Sequence, residues 1–219
     1  MSLYDLTLPI RPGMLAWPGA ASPEQVWETR LDRGEESNSS AWRIRSHSGT
    51  HVDAPAHFFN DGAMLGDLPL DLFVGPCTVV QVADEVEQID HAVVSSLGLP
   101  RPRPSGGTID LSRILFKTSN STRRLHRGVF DPTFVAFTPD GAEALLDLGV
   151  RLLGIDYLSV DLFSNGYYPA HRLLLGAGVV VLECVDLRDV SPGRYRLACL
   201  PLRTQASEAA PVRAVLWTD

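Results

Sequence analysis

The stretch HSGTHVDAPAHF, residues 47–58, constrains local geometry more tightly than any other part of this 219-residue chain. It holds three of the six histidines. Two imidazoles that share a divalent ion bring their ring nitrogens to roughly 3–3.5 Å of each other, given metal–nitrogen bonds of about 2.0–2.1 Å. On a straight strand, His47 and His51 would stand about 13 Å apart. One helical turn brings them to about 6 Å along the axis, but a continued helix points Asp53 away from both. The chain must therefore turn compactly through 47–51 and leave in an extended path at Asp53. Gly49 makes room for the turn, and Pro55 pushes Ala54 out of helical geometry. The pattern describes a three-ligand, open metal site built from His47, His51 and Asp53, with His57 close by.

A second constraint lies far along the chain. Glu183 sits in VVVLECV, a run that is otherwise apolar. An ionised carboxylate buried there requires a cation, strong donors or an exposed strand end. His171 precedes it in PAHRLLLGAG, and a short helix followed by a return strand would bring both residues to one end of a sheet. An arginine partner for Glu183 is the alternative that the pattern leaves open.

The rest of the chain reads as one mixed α/β domain over residues 1–219, richer in strand than in helix. CTVVQV (77–82), RILFK (113–117), FVAF (134–137), LLGI (152–155) and GVVVLECV (178–185) are expected strands. RLACLPLR (196–203) and VRAVLW (212–217) are expected to close the sheet. Asp90 is placed to cap a short helix through Leu97. Thr138 with Pro139 opens another that Gly149 ends. RPRPSGG (101–107) reads as a surface loop inside the domain. A hydrophobic content of 45% in a chain of this length supports one sizeable core.

Composition narrows the partners. The net charge of −7 argues against nucleic acid and anionic membrane surfaces. The longest apolar run, 173–182, is too short to span a bilayer. The first residues lack a signal-peptide pattern, and the three cysteines fall in apolar runs, as in a reduced, cytoplasmic protein. The expected ligand is a small molecule.

HSGTHVDAPAHF followed by NDG, GIDYLSVD at 154–161 and PAHRLLLGAGVVVLECVDL at 169–187 together resemble the metal-dependent cyclase family, which includes bacterial kynurenine formamidases and isatin hydrolases. The resemblance runs from DLTLPI at 5–10 to PVRAVLW at 211–217. It implies a swivelling β/β/α fold and a homodimer or higher homo-oligomer. It also implies His47, His51 and Asp53 as ligands of a first metal, with Asp53, His171 and Glu183 holding or bridging to a second. His57 would be the proton donor and acceptor, and Trp17 would line the substrate pocket. Zinc or manganese suits such ligands, as one or two ions per chain.

These residues permit a definite chemistry. A metal-activated water would attack an amide or lactam carbonyl, and His57 would pass a proton to the leaving nitrogen. His57 as a third ligand or as an orienting group is the alternative. Trp17, Phe58, Tyr167 and Tyr168 are candidate walls for an aromatic substrate, and STRRLHR (121–127) is a basic loop that could meet a carboxylate or only solvent. The reading is a metal-dependent hydrolase of a C–N amide bond in an aryl formamide, lactam or related amide. A lyase that dehydrates a hydroxylated carbonyl compound and a non-catalytic metal- or ligand-binding domain are the competing classes.

Overall fold

Residues 2–100 and 111–218 are described by the computed structural model; the expected loop at 101–107 lies outside them. The strands are β1 (Leu3–Asp5), β2 (Glu24–Thr29), β3 (Ser39–Arg43), β4 (His51–Asp53), β5 (Val74–Gln81), β6 (Arg113–Lys117), β7 (Leu152–Ile155), β8 (Val180–Glu183), β9 (Gly193–Ala198), β10 (Ala209–Pro211) and β11 (Val215–Trp217). The helices are α1 (His91–Ser96), α2 (Asn120–Arg123), α3 (Pro139–Leu146) and α4 (Pro169–Gly176).

Nine strands form one sheet in the order β1-β11-β9-β5-β6-β7-β8-β4-β10. Its centre, β5 to β8, is parallel, and the strands on either side are antiparallel. The central strands read as unbroken apolar runs because both faces of the sheet are covered. Ile114, Phe116, Leu153, Ile155 and Val181 join one core with Leu145 of α3 and Leu174 of α4. Leu115, Leu152 and Leu182 point the other way, into a second core with Val52, Leu197 and Leu216. Gly154 is needed on that second face, where a Cβ would collide with Leu115. The outcome is the expected mixed, strand-rich α/β fold.

Local signals explain most element ends. Asp90 accepts the Val93 N–H at 2.8 Å and starts α1. Thr138 accepts the Gly141 N–H at 3.3 Å, with Pro139 as the first helical residue of α3. One expected strand is not formed. FVAF (134–137) is buried, but among the described residues its only sheet pairing is the pair of isolated bridges made by Phe137 to Ile89 and Asp161. The Asn120 side chain takes its backbone groups instead, accepting the Val135 N–H at 2.9 Å and donating to its carbonyl at 2.8 Å. A side-chain amide thus replaces a neighbouring strand. The two closing strands are also shorter than their apolar runs, because the chain leaves the ladder after Ala198 and joins β11 only at Val215.

The hairpin β2–β3 forms a separate two-stranded sheet. The three cysteines are buried, and none forms a disulfide. Among the described residues, no helix is long and apolar enough to cross a membrane.

Candidate metal centre

Strand register builds the site. His51 of β4 stands directly opposite Glu183 of β8, and Asp53 opposite Val181. Side chains alternate along a strand, so His51, Asp53 and Glu183 share the face that carries Val181, which is the face packed beneath α4. Val52 and Leu182 take the opposite face. Before β4 the chain turns through 46–50, with Gly49 in the left-handed region at φ 65°. That turn brings His47 beside Asp53 without a helix. Ala54 is extended, and Pro55 opens a single 3-10 turn that ends at His57.

His171 arrives from the other side, on the first turn of α4. Asp161 fixes it there: its carboxylate accepts the Ala170 N–H at 2.7 Å, the His171 N–H at 3.0 Å and His171 Nδ1 at 2.6 Å. Glu183 accepts the Val160 N–H at 2.9 Å. Just after it, Cys184 adopts a left-handed conformation at φ 58°, which turns the chain away from the site.

The predicted ligands converge. His47 Nδ1 lies 2.9 Å and His51 Nε2 3.5 Å from Asp53 Oδ1. His171 Nε2 lies 3.6 Å from Asp53 Oδ2 and 3.1 Å from Glu183 Oε1. His51 Nε2 also lies 3.4 Å from Glu183 Oε2. Two donor sets result, His47–His51–Asp53 and Asp53–His171–Glu183, each with its ligand atoms within 4.8 Å of one another. No arginine pairs with Glu183 among the described residues. Imidazoles take that place.

The donor set fits a divalent ion on physical grounds. His51 Nε2 and both carboxylate oxygens of Asp53 are buried without a hydrogen-bond partner. The imidazoles crowd Asp53 at ion-pair distances but lack hydrogen-bonding geometry. Buried polar atoms are rarely left so, and nitrogen and oxygen donors pointed at one another across a few ångströms suit a divalent cation. Charge tells the same story. Burial works against the Asp53 carboxylate, but His51, His171 and His47 outweigh it and hold the group well below its ordinary range. Burial likewise works against a charged His51, yet Asp53 and Glu183 raise it to about 9.

His57 differs from the other three imidazoles. Its ring centroid lies 4.2 Å from that of His47 and 6.0 Å from that of His171, yet neither of its ring nitrogens has a hydrogen-bond partner among the described residues. Burial lowers its pKa, as do His47 and His171, against the pull of Asp53 and Glu183.

A cavity of about 460 Å³ opens over these groups, lined by Trp17, Phe58, Leu158, Ser159, Tyr168 and Arg45 among others. Trp17, Phe58 and Tyr168 line it, whereas Tyr167 is 89% exposed and does not. Arg172 donates from Nε to the Tyr167 carbonyl at 2.9 Å and lays its guanidinium over the Phe58 ring. None of residues 121–127 lines the cavity. Arg123, Arg124 and His126 pair with Asp84, Asp131 and Asp186. Sequence reading assigned no role to Asp161, Arg45 or Ser159. Asp161 had a usable signal, as an acidic residue shortly before a Pro-initiated helix; the other two carried none.

Fold, donor set and relatives together define an enzyme of the metal-dependent hydrolase class. The chain belongs to the Cyclase family, whose model matches residues 4–162. It is 39% identical to the kynurenine formamidase of Salinibacter ruber, over 99% of this chain and 97% of that one. It is 36% identical to the kynurenine formamidase of Paracidovorax citrulli, over 99% and 96%. Among solved structures, a protein described as a predicted metal-dependent hydrolase from Bacillus stearothermophilus superimposes with a TM-score of 0.81 at 30% identity, covering 98% of this chain and 97% of that one. Isatin hydrolase A of Labrenzia aggregata shares the fold at 22% identity, with a TM-score of 0.82 over 100% and 94% of the two chains.

Proposed function

We propose that this chain hydrolyses the C–N bond of a small aromatic amide, an aryl formamide first and a lactam second, using a divalent ion held by His47, His51, Asp53, His171 and Glu183. The observation that carries the reading is a buried, unsatisfied donor cluster at the floor of an aromatic-walled cavity, with an unpartnered imidazole beside it. The formamidase relatives support the formamide in particular.

A divalent ion bound there supplies Lewis acidity, which polarises a carbonyl and acidifies water. The chain does the rest. Trp17, Phe58 and Tyr168 hold an aromatic ring tilted, as Trp17 and Phe58 each stand to Tyr168. His57 takes a proton from the attacking water and returns it to the departing nitrogen, which leaves poorly as an amide anion. Oxygen adds to the carbonyl carbon, the C–N bond breaks, and a carboxylic acid and an amine result. Zinc and manganese both suit the ligand set, and the shared Asp53 suits either one ion or two.

The test is a panel of N-formylkynurenine, formanilide and isatin, run on metal-stripped protein reloaded with zinc or manganese. The expected result is release of aromatic amine from a formamide, abolished by a chelator. Tightly bound metal with no turnover of any of the three would sink the amide reading.

A further inference from the structure

Three imidazoles point into the donor cluster, and each has an oxygen behind it. His51 turns Nε2 inward and holds Nδ1 2.8 Å from the Gly49 carbonyl. His171 turns Nε2 inward and holds Nδ1 2.6 Å from Asp161. His47 is reversed: Nδ1 faces Asp53, and Nε2 lies 3.3 Å from Glu208 Oε1. Glu208 is itself held in place. Ser46 donates from Oγ to the same carboxylate oxygen at 2.6 Å, and the Glu208 carbonyl accepts the Ala54 N–H at 2.8 Å. The next residue, Ala209 of β10, stands opposite Asp53. One strand pairing therefore fixes both the ligand and the carboxylate behind its neighbour.

We propose that Glu208 is the positioning residue for His47: its carboxylate, 3.3 Å from Nε2, favours the tautomer that keeps the proton on Nε2 and leaves Nδ1 bare toward Asp53, and so sets how tightly the His47–His51–Asp53 arm holds its ion. The inference rests on the metal reading above. A ligating imidazole whose second nitrogen is held by an acceptor is better oriented and more basic, and losing such a partner typically weakens metal binding by about 10–100-fold. The three acceptors are not equivalent. Gly49 and Asp161 are buried, whereas the Glu208 side chain is 40% exposed and His47 24%. This arm is the one that solvent reaches, so its loss should fall at the low end of that range.

The experiment titrates zinc and manganese ions separately against a competing chelator, using wild type, Glu208→Ala, Glu208→Gln and Ser46→Ala. Glu208→Ala is expected to raise Kd about 10-fold. Glu208→Gln keeps an acceptor oxygen and should recover most of the loss, and Ser46→Ala should fall between wild type and Glu208→Ala. The melting temperature of the metal-free protein should stay unchanged, because the Glu208 backbone bond to Ala54 survives every variant. Values within twofold of wild type in Glu208→Ala overturn the assignment. So does a loss that Glu208→Gln fails to recover and that comes with a lower metal-free melting temperature, the mark of a structural role. A wild type that binds neither ion overturns the metal reading, and this inference with it.

Discussion

Asp53 and Asp156 are both buried carboxylates placed by short strands, Asp53 on β4 and Asp156 just after β7, and their surroundings are opposite. Asp156 follows β7 and faces the turn after β6. It accepts from Thr118 N at 2.8 Å, Thr118 Oγ1 at 2.8 Å, Ser121 N at 3.1 Å, Ser121 Oγ at 2.7 Å and Asn120 Nδ2 at 3.5 Å. Asp53 has no hydrogen bond to either oxygen. One group is finished by its own chain, ties β6 to β7 and starts α2. The other is left unfinished among imidazoles, at the floor of a cavity. Burial alone does not mark a functional carboxylate; incomplete satisfaction does.

The sharpest way to break this contrast is to remove each carboxylate in turn. Asp53→Asn should abolish metal binding and turnover together, while the protein remains folded by circular dichroism. Normal metal content in that variant would show that Asp53 is structural after all. Asp156→Ala should do the reverse. It leaves five donors without their acceptor, so a loss of about 1–3 kcal/mol for each buried donor left unpaired is expected in denaturant melts, with metal stoichiometry retained in whatever fraction stays folded.

Titration sharpens the satisfied side. Burial pushes the Asp156 carboxyl up to about 6, against the pull of Thr118 and Ser121. Its folded pKa therefore stands above the unfolded value of about 3.9, and the folded state binds the proton more tightly in between. Stability from this group is present below about pH 4 and is lost as pH rises towards 6, on the order of 3 kcal/mol in all. Metal-free wild type should show this slope and Asp156→Asn should lack it, whatever its absolute stability. Identical slopes would mean that the five donors hold the carboxylate ionised throughout.

His57 sharpens the unsatisfied side. Unlike the three anchored imidazoles, it is expected to be dispensable for metal. His57→Ala should keep full metal content and lose about 10²-fold in turnover, the lower range for general acid–base catalysis. Metal content that falls in step with activity would make it a ligand.

The parts of the molecule that could be read in the sequence are those governed by neighbours in sequence. Caps at Asp90 and Thr138, the extended Ala54 before Pro55, and the apolar strands β6, β7 and β8 all follow from local rules. Of the five candidate ligands, His47, His51 and Asp53 were legible from spacing; the pattern flagged Glu183 and His171 but left an arginine partner open, and only the family resemblance made them ligands. The strand assigned to 134–137 failed because Asn120, distant in sequence, supplies its hydrogen bonds through a side chain. Glu208 was invisible for a related reason. Nothing around SEAAP marks it, and only the pairing of β10 with β4 brings it to His47. The hairpin β2–β3 likewise left little trace, since its Trp27 and Trp42 stay partly exposed and give no buried alternation.

Strand β4 has a further consequence for how the protein is made. Both of its neighbours, β8 and β10, are synthesised long after it. A growing chain carries HSGTHVD past the ribosome exit with no strand to pair with, and β5, β6 and β7 can assemble while it waits. Pairings between such distant segments are slow to form. The donor cluster therefore cannot be complete before residues 180–183 are made and pair with β4. Until then its histidines are scattered along an unpaired segment, and the newborn chain has no preformed place to capture a metal.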